Sequence, residues 1–419
     1  MSDWEIIQIN DLVKENQAEL QTGPFGTQLK ASEYIANGIP VINVRNIGYG
    51  SLTDAKLEFL DDKTAERLKV HRLVLDDIVF GRKGAVDRHI LITKKSEQWI
   101  QGSDCLRLRI KSNKLSTKFL SYYFTTNAHK YWMEAQGSFG ATMSSLNQDI
   151  VKRINIPIPP LPVQKKIAAI LSAYDDLIEN NNRRIAILEK MAEEIYREWF
   201  VRLRFPGHEQ VKFHKGIPEG WESVKIEAIC KEIRNGVKIK NLDGSTKYLG
   251  LENLPRESIL IKDFNTADSV QSDKLLFKER DILFGKIRPY LHKMALANFS
   301  GACSSDTIVI RPKLNEYEGF ILFTIFSDTF IVLATISSKG TKMPRADWDF
   351  LKKLQIILPE TKILTSYQKK FDALFSLMCK CSNSNEILKQ TRDRLLTRLI
   401  SGKLSVEDLD IQFPPSMTE

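Results

Sequence analysis

Asp77-Ile-Val-Phe-Gly-Arg-Lys83 returns as Asp281-Ile-Leu-Phe-Gly-Lys-Ile-Arg288, 204 residues further on. Other pieces return in the same order. Gln164-Lys-Lys-Ile167 matches Gln368-Lys-Lys-Phe371 at the same interval. Gly140-Ala-Thr-Met143 pairs with Gly340-Thr-Lys-Met343, and Ile156-Pro-Ile-Pro159 with Ile356-Ile-Leu-Pro359, at an interval of 200. Asp3-Trp4-Glu5 and Gly220-Trp221-Glu222 stand 217 apart. Each match is weak alone. Their shared order at a nearly constant interval marks a tandem duplication, with a period far too long for a solenoid.

Each half follows one plan. A Trp leads into a mixed segment with strand-like runs such as Ile39-Pro-Val-Ile-Asn-Val44, Leu106-Arg-Leu-Arg-Ile110 and Thr307-Ile-Val-Ile310, separated by Gly- and Asn-bearing turns. In the first half Ile156-Pro-Ile-Pro-Pro-Leu-Pro162 then stops the globular part, because proline continues neither a ladder nor a helix interior. Apolar residues next recur every three or four positions, from Ile167 through Leu171, Ile178, Ile185 and Leu188 to Trp199, which predicts a helix from about Pro162 to Leu203. Ile167, Tyr174, Asn181, Leu188 and Ile195 share one heptad position. A second helix, from about Ser366 to Ile400, carries Phe371, Leu374, Met378, Leu388, Leu395 and Leu399, with Asn385 in the position of Asn181. An Asn in an apolar seam selects register at a cost in stability. A solvated place at the seam edge is the alternative, and both readings are open. Forty helical residues span roughly 60 Å, too long to bury a stripe on one small domain. Each helix therefore needs another helix, and its own repeat is the obvious one. Gly402 stops the second helix.

A chain of 419 residues holds two or three folded units. With 42% hydrophobic and 27% charged residues it reads as an ordinary globular protein. No run approaches the ~20 apolar residues of a membrane-spanning helix. MSDWEIIQIN does not read as a secretory signal. Five cysteines without a CxxC pair make neither a disulfide framework nor a zinc site, which fits a reducing cytoplasm. Lys and Arg number 61 against 52 acids, a net charge of +9 that suits a nucleic-acid partner or simply a solvated basic surface.

Catalytic signatures are scarce. Gly285-Lys286 and Gly402-Lys403 lack the upstream glycine and following hydroxyl of a phosphate loop. No GxGxxG follows a strand, no pair of histidines has metal spacing with a Glu, and no GxSxG occurs. The Asn/Asp-Pro-Pro-aromatic tetrapeptide of amino-group methyltransferases is absent; Asn155-Ile-Pro-Ile-Pro-Pro160 does not fit it. Asp61-Asp62-Lys63 is only a fragment of a nuclease pattern and reads better as a solvated turn. The weight moves from enzyme to binding protein.

The repeated Asp-Ile-x-Phe-Gly element is followed each time by cations: Arg82, Lys83 and Arg88 in the first half, Lys286, Arg288 and then Tyr290 in the second. Glycine after a strand permits a tight turn, so these side chains project from one tip, where Arg and Lys can read guanine or neutralise phosphate. Gly137-Ser138-Phe-Gly-Ala-Thr142 and Ser337-Ser338-Lys339-Gly340-Thr341-Lys342 form a second matched pair of loops. Plain turns with solvated charges are the bland reading of any single residue; as matched sets the loops favour DNA. The candidate DNA-contacting residues are thus Arg45, Arg82, Lys83, Arg88, Ser138 and Thr142, and Lys238, Lys240, Lys286, Arg288, Tyr290, Lys339, Thr341 and Lys342. Two such tips on a rigid spacer would read two short half-sites about one duplex turn or more apart. Because the halves differ in sequence, the half-sites should differ.

The whole chain resembles the specificity subunit of type I restriction–modification systems. The resemblance lies in Ile156-Pro-Ile-Pro-Pro-Leu-Pro-Val-Gln-Lys-Lys-Ile-Ala168, Tyr196-Arg-Glu-Trp-Phe-Val-Arg-Leu-Arg-Phe-Pro-Gly-His208, Gly216-Ile-Pro-Glu-Gly-Trp-Glu222 and Leu399-Ile-Ser-Gly-Lys-Leu-Ser-Val-Glu-Asp-Leu-Asp410. It implies an α+β fold: two tandem α/β target-recognition domains (1–158 and 219–360) separated by two long helices (159–204 and 361–402) that form an antiparallel coiled coil, with a linker at 205–218 and a tail at 403–419. It also implies double-stranded DNA, two adenine-methyltransferase subunits and two restriction/translocase subunits as partners. S-adenosylmethionine, ATP and Mg would be used on those partners and no cofactor on this chain. The expected partner-binding residues are Ile167, Tyr174, Leu188, Ile195, Phe371, Met378, Leu395 and Leu399. One departure is Leu358-Pro-Glu-Thr-Lys-Ile-Leu364, which lacks the Pro-Pro-Leu pattern, so the second helix would start differently or dock less tightly. A self-contained DNA-modifying enzyme with a cryptic site, and a coiled-coil scaffold with incidental charge, are the competing readings.

Overall fold

A computed structural model describes residues 4–53, 56–84, 86–137, 145–414 and 417. The chain divides into two compact units, Met1–Leu177 with Ile387–Glu419, and Ile178–Glu386.

In the first unit the strands Ala18–Thr22, Cys105–Ile110, Ile78–Gly81 and His89–Leu91 lie side by side in that order, every pair antiparallel. A second sheet orders Glu58–Leu60, Ile39–Ile42 and Ile100–Gln101, the last two parallel. The uninterrupted run Ile78-Val79-Phe80 is a strand buried on both faces. Ile78 and Phe80 pack with Leu106, Leu108 and Phe124, while Val79 points the other way to Ile42, Ile90 and Cys105. The second unit repeats this layout. Cys230–Glu232, Thr307–Pro312, Ile282–Gly285 and Met294–Leu296 form the antiparallel sheet, and Lys247–Leu249 runs parallel to Gly301–Cys303 in the other. Ile282 and Phe284 again face one core and Leu283 the opposite one.

The Asp that opens each repeated element is a latch. Asp77, fully buried, accepts two bonds of 2.7 Å from Arg109 and one of 2.9 Å from the Val74 amide. Asp281 takes Arg311 at 2.6 and 2.7 Å and the Lys278 amide at 2.7 Å. Each carboxylate ties the strand start to the strand beside it with a charge-assisted fork.

In each half the strand after the leading Trp pairs antiparallel with the strand that feeds the long helix: Glu5–Gln8 with Asn155–Ile158, and Glu222–Lys225 with Gln355–Leu358. The first helix runs Leu161–Tyr196 and ends in a wide turn over Arg197–Val201, where the Arg202 amide bonds to the Arg197 carbonyl at 2.8 Å. The second runs Thr361–Ile400, five residues earlier than its apolar spacing suggests. Despite its different sequence it starts as the first one does. Glu360 O accepts from Ile363 and Leu364 at 2.9 and 3.1 Å, as Pro160 O accepts from Val163 and Gln164. The repeated glutamines fasten these starts. Buried Gln164 accepts from the Ser116 amide at 2.8 Å and donates to Lys114 O and Pro159 O. Gln368 accepts from the Gly319 amide at 2.9 Å and donates to Asp372.

Within each unit the helices pair in opposite senses. In the first, Ile167 and Leu171 pack with Leu396, Leu399 and Ile400, and Asp175 binds Arg392 at 2.5 Å. In the second, Asn181 donates to Asn385 at 2.9 Å, Ile185 packs near Met378 and Cys381, and Tyr196 meets Tyr367. The expected partner-binding residues lie along this pairing. Ile167, Phe371, Met378 and Leu399 are at most 1% exposed inside the chain itself, because the stripe they form is used up on the chain's own helix and domain cores. Leu188, Ile195 and Leu395 are half-buried against the same cores, and Tyr174 is half-buried.

Asn385 is 6% exposed and its amide nitrogen also donates to Asn182 at 3.1 Å, so the seam holds a bonded polar layer rather than a solvated edge. Asn385→Ala should cost about 1 kcal/mol by stranding Asn181 and Asn182, and N181L/N385L should recover the Asn181 share of it, since removing both ends of a buried bond is nearly neutral. Urea unfolding of the two single variants and the double variant checks this; strictly additive losses would contradict it.

No single described helix is long and apolar enough to cross a membrane. The apolar bent pair Asn315–Phe326 and Asp328–Ile336 supplies core residues, among them Phe320 to Phe323 and Ile325.

Candidate nucleic-acid interface

The hairpin leaving Gly81 re-enters the sheet at His89. Its tip does not stand alone. Lys83 pairs with Ser145, and the Leu146 amide bonds to Arg82 O at 2.8 Å. In the second unit Ile287 and Lys339 both pair with Arg345, the Ala346 amide bonds to Lys286 O at 2.9 Å, and the Arg288 amide to Pro344 O at 2.7 Å. In the second unit the two loops that the sequence repeats separately therefore lie against each other and present one surface; in the first, the hairpin lies against Ser145 and Leu146, which follow the other repeated loop. Ser138 and Thr142 lie outside the described residues.

The cations on this surface differ in freedom. Lys83 is paired with Asp104 at 3.0 Å, and Arg82 is half-buried with its guanidinium 5.0 Å from the Phe25 ring centre. Lys339 is paired with Asp347 at 2.6 Å, which raises the lysine pKa and lowers that of the aspartate. The Lys83–Asp104 pair is solvent-exposed and worth little, so a phosphate can compete for Lys83; Lys339 is itself exposed, although its Asp347 partner is half-buried. Arg88, Lys286, Arg288 and Lys342 have no carboxylate partner among the described residues. Arg288 is exposed and adopts φ 51°, as does His292, so the short turn Pro289–Leu291 is held between two left-handed residues that lift Tyr290, 53% exposed, into solvent. Thr341 is exposed.

Three predicted cations fall elsewhere. Arg45 is tied to Glu58 at 2.6 Å. Lys238 and Lys240 are exposed on a segment after strand Gly236–Val237 of the five-stranded sheet, and no described contact joins them to the loop pair. Sequence reasoning missed Arg345, whose backbone bridges both loops and whose side chain reaches Asp306 at 3.3 Å. It also missed Tyr49, whose ring lies against Arg88 and whose hydroxyl is held by Asp87, which raises its pKa. Neither carries a sequence signal, because tertiary pairing alone brings them there.

Behind the first hairpin lies a neutral histidine pair. His89 bonds Ser121 Oγ at 3.0 Å, and His129 lies 4.7 Å from Phe124, ring centre to ring centre. Burial, and for His89 the neighbouring His129, pushes their pKa values down to about 3 and about 4. Asp87 and Lys130 are the charged groups that bear on them. The unfolded chain binds protons near pH 6.5 that the folded unit refuses, so the stability this pair contributes is whole above pH ~6.5 and is lost as pH falls toward the folded values. Urea midpoints for the first unit should therefore drop between pH ~7.5 and ~5, and His89→Phe should flatten that decline. A decline of equal slope in the variant would contradict the assignment.

The sequence matches the family model of the type I restriction modification DNA specificity domain over residues 1–190 and 218–392, one match on each half. The chain belongs to this family. It is a type I specificity subunit with two tandem recognition domains, a component that recognises DNA rather than one that catalyses. Similar proteins include the MjaIX specificity subunit of Methanocaldococcus jannaschii, 26% identical, with 97% of this chain and 95% of that protein aligned. The EcoDI specificity subunit of Escherichia coli is 21% identical over 70% of this chain and 71% of its own. The solved structure of an S subunit from M. genitalium shares the fold at a TM-score of 0.56 and 15% identity, covering 95% of this chain and 96% of that one.

Proposed function

We propose that this specificity subunit reads an asymmetric, split DNA site, one half through each hairpin tip, and positions two adenine-methyltransferase subunits over it. The observation that carries this reading is the twofold recurrence of one hairpin tip with different side chains: Arg82, Lys83 and Arg88 in one half, Lys286, Arg288 and Tyr290 in the other. Equal scaffolds with unequal tips suit unequal half-sites. Residues 1–158 and 219–360 are the proposed recognition domains, and the paired helices of 159–204 and 361–402 set the gap between the half-sites. With the apolar stripe buried, the methyltransferase subunits dock on the outer helix faces. Two restriction subunits join through them. S-adenosylmethionine, ATP and Mg are used there, and the target adenine is flipped into a methyltransferase pocket. The complex works on DNA in the cytoplasm.

Binding of the full chain to duplex DNA tests this. Affinity should fall steeply with salt, since each neutralised phosphate releases counterions, and should be highest for one split sequence. Methyl transfer should need added methyltransferase subunits. Turnover by the chain alone would favour a cryptic enzyme, and binding flat against salt would favour a scaffold.

A further inference from the structure

We propose that each unit carries, beside its hairpin tip, a paired-cation site that clamps a backbone phosphate of duplex DNA: Arg88 and Lys130 on the ring of Tyr49 in the first unit, Arg256 with Lys293 in the second. This rests on the DNA reading above and adds residues that it does not use.

A tight turn makes the first site. The Gly48 amide bonds to Ser51 O at 2.9 Å, and Ile47 pairs with Leu52. The turn docks on the returning hairpin strand: the His89 amide donates to Gly48 O at 3.1 Å and the Gly50 amide to His89 O at 2.9 Å. Tyr49 is thereby fixed beside the hairpin tip, 47% exposed. The Lys130 ammonium lies 4.2 Å and the Arg88 guanidinium 5.3 Å from its ring centre. The ring holds both cations. Among the described residues neither forms an ion pair with a carboxylate, and the nearby Asp87 is engaged with the Tyr49 hydroxyl. Two like charges gathered on one ring repel each other, and a phosphate placed between them would reverse the sign of that interaction.

The second unit reaches the same charge with other side chains. Arg256 pairs through its backbone with Lys293, as Tyr49 does with His89, and the Gly285 amide bonds to Lys293 O at 2.8 Å, which puts the pair on the hairpin. The Lys293 ammonium donates to Leu251 O, and burial together with Arg256 lowers its pKa. No carboxylate pairs with either cation among the described residues. The two units share charge at this place but not side-chain identity. That is what contact with a uniform sugar-phosphate chain requires, whereas base reading would leave different chemistry in each half.

The test uses the full chain assembled with methyltransferase subunits and a pool of random-sequence duplexes of about 40 bp, titrated from about 50 to 300 mM NaCl. Lys130→Ala and Arg256→Ala should each lower the log–log salt slope by about 0.9 and weaken binding alike on every duplex, leaving the selected motif unchanged. Tyr49→Ala should act like Lys130→Ala. Unchanged slopes in K130A and R256A against a steep wild-type slope would overturn this inference alone. A wild-type protein without salt slope or selected motif would overturn the DNA reading and this inference together.

Discussion

Asp77→Ala is expected to destabilise the first unit by about 3 kcal/mol or more, the cost of leaving one member of a buried charge pair without its counterpart. The carboxylate is fully buried and is the acceptor for both arms of the Arg109 fork and for the Val74 amide. Its loss strands three donors where strand Ile78–Gly81 begins. Hydrogen exchange followed by mass spectrometry should show protection lost across Ile78–Gly81 and Cys105–Ile110, while Ile282–Gly285 and Thr307–Pro312 keep theirs. Asp281→Ala should do the reverse. Equal loss in both units from either change would mean that the two cores are one cooperative block. The carboxylate occurs in the sequence as part of a cation-bearing motif and invites a binding role, yet its work is to place the hairpin.

Replacing Arg82 and Lys83 together by Ala should erase one half-site and spare the other. Base contacts from such side chains are worth about 1–3 kcal/mol each, so affinity for the full site should fall at least tenfold. Arg82 is braced by the Phe25 ring and Lys83 exchanges its exposed Asp104 pairing for a DNA contact, so neither substitution touches a core. Sequencing of duplexes selected by the variant complex from a random pool measures it. The information content of one half-site should collapse with the second unaltered. An unaltered motif would reject the tip as a reading element, and a uniform affinity loss would reassign it to phosphate contact.

Much of this architecture is legible in the chain because the duplication doubles every signal. The repeated Asp-Ile-x-Phe-Gly element reads as a strand ended by a glycine turn, and Asn181 and Asn385 announce themselves at one heptad position. The periodic apolar stripe of Ile167, Phe371, Met378 and Leu399 that makes the helices legible is what the chain buries against itself, so periodicity reports internal packing. The second helix start was misleading because Leu358-Pro-Glu360 lacks the proline run, while backbone hydrogen bonding from Glu360 does the same work. The meeting of Lys83 with Ser145, and of Ile287 with Arg345, depends on pairings across 62 and 58 residues, which no local pattern encodes. Tyr49 and Lys130 are invisible in sequence for that reason too.

The two-domain reading is tested most directly by mapping methylated adenines in genomic DNA exposed to the full chain assembled with its methyltransferase subunits and S-adenosylmethionine. Two dissimilar tips predict a single split motif, with two unlike specified segments on either side of a fixed run of unread bases. A continuous motif, or one whose two segments are inverted copies of each other, would contradict it.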